Sequence, residues 1–202
     1  LLDWLGSVIF PAETRWSDAG YAEAMTQRVA QTLLARGTTG VCAYATVHHA
    51  SAQRAIQAMS LAGLSGYVGQ VLMDRNAPTE LVRPASQLLS EAASLNSFGI
   101  HNSDPAHGHI EPIVSPRFAI TCSMDLMKGA AALAEERNWR MQTHLAEMVP
   151  ECTRVREMFD GLGYVDVYDR AGMVTDRSIF AHAVWLSEAE HALLAHRGAT
   201  IA

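Results

Sequence analysis

Three short stretches of this chain combine residue types that can do chemistry. In Met141-Gln142-Thr143-His144-Leu145-Ala146-Glu147 a histidine is followed three residues later by a glutamate. A metal-ligating imidazole beside a carboxylate that is not itself a ligand is the usual pair for a zinc-activated water: the metal lowers the water pKa and the carboxylate carries protons. Strand alternation points Gln142 and His144 to one side, and Glu147 reaches the same pocket only if the chain turns just after the strand. Taken as a bare string, these residues more often describe a buried histidine and a solvated glutamate, so the motif alone is weak. In Ser178-Ile179-Phe180-Ala181-His182-Ala183 a second histidine ends an apolar run. An imidazole there needs a hydrogen bond or a water at a metal site, and a satisfied core histidine is the plain alternative. In Pro112-Ile113-Val114-Ser115-Pro116-Arg117-Phe118 a planar, multi-donor cation stands beside an aromatic ring. Such a pair suits a flat heterocycle with a carbonyl and ring nitrogens, Arg117 on its edge and Phe118 on its face; a surface ion pair beside a core phenylalanine is the competing reading.

The elements that must position these residues alternate short β-type runs with longer helical patterns, the signature of repeated βα units and a parallel sheet. The patterning predicts helices over Tyr21 to Arg36, Ser51 to Leu61, Thr79 to Asn96, Ser123 to Asn138, Glu151 to Leu162 and Ser187 to Arg197. Strands are predicted over Gly40 to Ala45, Ser65 to Met73, Glu111 to Val114, Arg140 to His144, Ser178 to Ala183 and from Ala199 onward. Gly37, Gly63 and Gly198 sit where helices should stop, and Ser51, Ser123 and Ser187 where N-caps belong. Strict alternation of this kind favours an α/β barrel, in which chemistry gathers at the C-terminal ends of the strands. Arg117, Phe118, His144 and His182 all fall there.

Composition excludes several other classes. With 49% hydrophobic and 18% charged residues the chain can bury a core. At 202 residues it is at the low end for a complete barrel, which needs roughly 200 to 250 residues or more. A net charge of −6 without any Lys/Arg cluster speaks against a nucleic-acid polymer as partner. The longest apolar stretch, near Ile179 to Trp185, is far too short to span a bilayer, and Leu1 to Phe10 lacks the flanks of a signal peptide. Cys42, Cys122 and Cys152 are an odd number without CxxC spacing, so neither a disulfide framework nor a zinc knuckle is expected, and a cytoplasmic setting fits.

In order and spacing, Pro116-Arg117-Phe118 with Thr121-Cys122-Ser123, then Gln142 to Glu147, Tyr164-Val165-Asp166-Val167-Tyr168-Asp169 and Ala181-His182, the chain resembles the guanine deaminases of the amidohydrolase superfamily. Leu2-Asp3-Trp4-Leu5, Phe10-Pro11-Ala12-Glu13, Gly37-Thr38-Thr39 and Gly69 to Asp74 are similar to the same family, so the resemblance covers essentially the whole chain. Pro116-Arg117-Phe118 is its discriminating element. The resemblance implies a (β/α)8 TIM-type barrel domain over 1–202, incomplete and holding about strands two to seven. It implies zinc as cofactor with His144 as a ligand, Glu147 as proton shuttle and His182 as a second catalytic group. It further implies guanine as the small-molecule substrate, held by Arg117, Phe118 and His144, and a cytoplasmic homodimer. The family's HxH pair should lie before Leu1 and its last aspartate ligand past Ala202, so the 202-residue chain alone is expected to be inactive. A different aminohydrolase or chlorohydrolase of the superfamily, or a non-catalytic barrel piece, are the alternatives.

His101, His107 and His109 include an HxH string, but they precede a strand and so belong to a loop on the opposite face of a barrel. His48 and His49 follow a strand and could line the pocket without an assigned role. The methionines read as core filler.

Overall fold

The predicted alternation is realised as parallel strands separated by helices in a computed structural model that describes residues 2–96 and 108–202. The chain opens with helical turns that the patterning did not suggest: α1 (Leu2–Trp4), a π turn (Leu5–Ile9), α2 (Phe10–Glu13) and a 3₁₀ turn (Thr14–Ser17). Then follow α3 (Ala19–Ala35), β1 (Gly40–Tyr44), α4 (His49–Leu61), β2 (Ser65–Gly69), β3 (Val71–Leu72) and α5 (Ala85–Ala93). The second half holds β4 (Ile110–Pro112), β5 (Ser115–Pro116), α6 (Met124–Arg137), β6 (Met141–Leu145), α7 (Val149–Met158), α8 (Tyr164–Arg170), β7 (Ser178–His182), α9 (Glu188–His196) and β8 (Thr200–Ile201).

Among the described residues all the pairings are parallel, in the order β1-β2-β4, β3-β5 and β6-β7-β8. Main-chain bonds link the three sets: Val71 N to Thr46 O at 2.9 Å, Gln142 N to Val114 O at 2.9 Å and His144 N to Arg117 O at 3.0 Å. The predicted strand Glu111 to Val114 becomes the two pieces β4 and β5 because Pro112 and Pro116 have no N–H to give to a ladder. The strand before it breaks at Gly69-Gln70. A Cβ on Gly69 would stand 2.0 Å from Ser115 Oγ and 2.2 Å from Ile113 O, so only glycine allows the strands to approach there.

Helix ends follow the punctuation in most places. Ser123 and Ser187 accept hydrogen bonds from Leu126 N and Glu190 N as N-caps, and Gly37, Gly63 and Gly198 take the positive φ of helix-stopping residues. Ser51 does not cap: α4 starts two residues earlier, at His49 behind an extended His48, and Ser51 is buried inside the helix. The predicted helix from Thr79 is a 3₁₀ turn (Thr79–Leu81) and then α5, because Pro84 disfavours the helical region for Arg83 and restarts the helix behind it. Two apolar clusters result. Ala30, Ala52, Ile56, Leu64, Val68 and Ile110 pack α3 and α4 on β1, β2 and β4. Leu72, Leu126, Met127, Val155, Tyr168 and Phe180 pack α6 to α8 on the other strands. Burying a side chain of this size contributes about 1.5–3 kcal/mol each, and these clusters fix the strand ends on which the polar residues stand.

Candidate active site

His144 is the next-to-last residue of β6 and pairs with Ala181, and His182 is the last of β7 and pairs with Leu145. Adjacent parallel strands therefore deliver two imidazoles to one end of the sheet, stacked at 5.4 Å between ring centroids and 28° between planes. On its other side the His144 ring stacks on Tyr44, at the end of β1, at 4.5 Å and 27°. His144 Nδ1 lies 2.7 Å from the main-chain oxygen of Arg117. A carbonyl oxygen can only accept, so Nδ1 carries the proton and Nε2 keeps its lone pair, the state a metal ligand needs. Burial pushes the His144 pKa below the usual imidazole value, with the neighbouring His182 and the Arg117 charge acting in the same direction. Its neutral form is thereby favoured.

Glu147 comes to the same place through a sharp turn. Ala146 has φ +48°, and the buried Glu151 carboxylate accepts from Glu147 N at 3.0 Å and Met148 N at 3.3 Å. Glu147 Oε2 stands 3.7 Å from His182 Nε2, beyond direct hydrogen-bond reach but close enough to share one small molecule between them. Arg117 Nη1 donates to both oxygens of Glu13, at 2.7 and 2.8 Å, and its guanidinium lies 5.3 Å above the Phe10 ring. Among the described residues its Nε and Nη2 have no hydrogen-bond partner, which leaves a forked pair of donors for a ligand. Phe118, the next residue, is only 4% exposed and lines the same cleft.

These side chains, with Trp4, Leu5 and Ile9 of the N-terminal turns, line one cleft of about 360 Å³. The residues predicted from strand-end position are thus brought together: Arg117, Phe118, His144, Glu147 and His182 share the cleft. A larger cavity of about 590 Å³, between α6 and the turn after α8, contains none of them. His109 lies before β4 with Nε2 3.0 Å from Glu111, away from the cleft, while His101 and His107 fall outside the described residues. His49 is tied to Gln70 at 3.1 Å. Sequence reasoning missed Glu13, Tyr44 and Glu151. Tyr44 obeys the same strand-end rule that picked the histidines, whereas Glu13 is 104 residues from its partner and has no local signal.

The fit to a metal is partial. His144 offers a fixed lone pair with His182 and Glu147 beside it, but among the described residues no three His, Cys, Asp or Glu side chains are grouped as a metal site. A catalytic zinc needs three or more protein ligands, so His144 can serve only as one member of a larger set.

Parallel βα units with histidine, glutamate and arginine at the strand ends define a class, and the chain belongs to the amidohydrolase family, whose model matches residues 1–202. Within that family it is 35% identical over 205 residues to the guanine deaminase of Escherichia coli (strain K12), covering 100% of this chain and 45% of that protein. It is 32% identical over 195 residues to the guanine deaminase of Dictyostelium discoideum, covering 96% of this chain and 43% of that protein. The structure superposes on that of the guanine deaminase from C. acetobutylicum with bound guanine in the active site, with a TM-score of 0.91 at 29% identity, over 100% of this chain and 48% of that one. The chain spans less than half the length of the curated relatives it matches. Among the described residues no helix is long and apolar enough to cross a membrane.

Proposed function

We propose that the protein bearing this chain deaminates guanine hydrolytically to xanthine and ammonia, and that the parallel strands are part of a (β/α)8 barrel whose remaining metal ligands come from outside the described residues. The observation that carries the reading is the cleft itself. A charged fork (Arg117) and an aromatic face (Phe118) stand against a histidine of fixed tautomer (His144) and a carboxylate (Glu147), which is the complement of a flat, amine-bearing purine. The likeness to guanine deaminases over the whole chain supports the choice of substrate.

In this reading Arg117 holds the purine edge through Nε and Nη2 while Glu13 keeps the guanidinium oriented, and Phe118 packs on the ring face. His144 would hold zinc through Nε2. When bound, the metal supplies the Lewis acidity that makes an activated water available at neutral pH. His182, which has no competing ring hydrogen bond among the described residues, orients that water for attack at C2. Glu147 would take a proton from the attacking water and give it to ring nitrogen N3, then take the remaining proton of the new hydroxyl and pass it to the amine as the C2–N bond breaks, releasing ammonia. A cytoplasmic homodimer completes the reading and rests on the family resemblance alone.

The test is ammonia release from guanine by the purified zinc-loaded enzyme, compared with Arg117→Lys. Lysine keeps the charge and loses the fork, so KM should rise about tenfold with kcat within a few-fold, the cost of roughly one charge-assisted hydrogen bond. Turnover of a chlorotriazine in preference to guanine, or an unchanged KM, would count against guanine as the substrate.

A further inference from the structure

Helix α8 contributes no side chain to the cleft, yet its two tyrosines reach both halves of it. Tyr164 and Tyr168 are four residues apart, hence on one face, with ring centroids 5.3 Å apart and both side chains buried. The Tyr168 hydroxyl donates to His144 O at 2.7 Å and accepts from Ala119 N at 3.0 Å, with Thr143 Oγ1 at 3.1 Å. One oxygen thus joins the main chain of His144 to the segment that carries Arg117 and Phe118. The Tyr164 hydroxyl donates to Glu151 Oε1 at 2.6 Å, and the other oxygen of that carboxylate holds Glu147 N and Met148 N. Through Glu151, Tyr164 thus reaches the Glu147 turn.

A buried hydroxyl that satisfies a donor on one segment and an acceptor on another fixes their separation, because either group left unpaired away from water carries its full desolvation cost. Catalytic constellations tolerate displacements of only about 0.5 Å, so a bond of this kind controls the geometry of groups it never touches. We propose that Tyr168 is a positioning residue that sets the Arg117–Phe118 segment against His144, and that Tyr164, through Glu151, is a positioning residue that sets Glu147. The roles of the positioned groups rest on the functional reading above. The bonds themselves do not.

The experiment uses Tyr164→Phe and Tyr168→Phe in the zinc-loaded enzyme; each keeps its ring, including the stack of Tyr168 on Phe180 at 5.8 Å. Tyr164→Phe should lower kcat on guanine about tenfold with KM within about twofold, whereas Tyr168→Phe should raise KM and lower kcat together, each by about tenfold. Amide hydrogen exchange at Ala119 should quicken by about tenfold or more in Tyr168→Phe and stay unchanged in Tyr164→Phe. A merely structural role would lower melting temperature and active fraction in both variants without splitting KM from kcat. The proposal is overturned if the two variants share one kinetic pattern, or if Ala119 exchange is unaltered in Tyr168→Phe. If the wild-type enzyme leaves guanine untouched, the functional reading fails, and the exchange rate at Ala119 alone then decides this proposal, faster exchange supporting it and unchanged exchange refuting it.

Discussion

The ends of β6 and β7 each present a histidine to the cleft, but they are held in different ways. At the β6 end the His144 ring is sandwiched between Tyr44 and His182, its Nδ1 is bonded to Arg117 O, and the following turn is clamped by Glu151. At the β7 end the His182 ring has no hydrogen bond among the described residues, its side chain is 38% exposed, and Val184 and Trp185 behind it are 61% and 57% exposed. What holds that end is backbone: φ +76° at His182 and +50° at Ala183, with Ala183 N, Val184 N and Trp185 N bonded to Leu145 O and Ala146 O. The first arm is preorganised by side chains and the second by strained main chain leaning on the first. A metal ligand needs a fixed tautomer, which the first arm provides; a group that orients a mobile water can stay freer. The roles proposed for His144 and His182 accord with that difference.

The comparison breaks most sharply at Glu147, which the braced arm delivers to the exposed histidine. Glu147→Gln keeps the shape and the Glu151 contacts to the main chain but cannot carry a proton, so kcat on guanine should fall by roughly 10²–10⁴ with KM little changed. Near-normal kcat in steady-state assays of this variant would remove Glu147 from the proton path and leave the brace at β6 without a catalytic purpose.

A smaller effect tests the brace on His144 itself. Its folded pKa is depressed by burial, so in the metal-free protein it contributes stability that is present above the ordinary imidazole value and is lost as pH falls through the folded value. Urea unfolding midpoints of metal-free protein should decline as pH drops below about 6.5, with a slope no steeper than about 1.4 kcal/mol per pH unit from this group. In His144→Asn, which retains a donor for Arg117 O, that part of the slope should vanish. An identical profile in the two proteins would mean that the buried imidazole is not the source.

The two arms also differ in how far the sequence reveals them. Strand-end position picks out His144, His182 and Arg117 because parallel strands buried on both faces project alternate residues to a common mouth. Glu147 is visible only as a spacing, since its placement depends on Ala146 adopting φ +48°, which nothing in Leu145-Ala146-Glu147 signals. Helix α8 is hidden for a different reason: Tyr164-Val165-Asp166-Val167-Tyr168 is rich in aromatic and β-branched residues with a strand-like alternation, and tertiary packing overrides that preference. The Glu13–Arg117 pair joins residues 104 apart, and long-range ion pairs have no periodicity from which to be read. Local pattern thus locates the chemistry, and the bonds that brace it are mostly nonlocal.

The smallest effect separates the arms most directly, through glycine at the two left-handed alanines behind the histidines. At Ala146 and Ala183 a glycine relieves roughly 1 kcal/mol of left-handed strain but adds about 0.5–1 kcal/mol of unfolded-chain entropy and removes a buried methyl, so both variants should melt within about 1 kcal/mol of wild type. Activity should nevertheless diverge. Around Ala146 the turn remains held by Glu151 and by the ring contacts of His144, so Ala146→Gly should turn over guanine within about twofold of wild type. Ala183→Gly frees the backbone that, with the stack on His144, orients His182, so its kcat should fall several-fold, on the order of one lost hydrogen bond to the attacking water. Paired measurements of melting temperature and kcat on the two variants decide the matter. Equal losses of activity, or a greater loss in Ala146→Gly, would show that the β7 arm is held by something other than its own main chain.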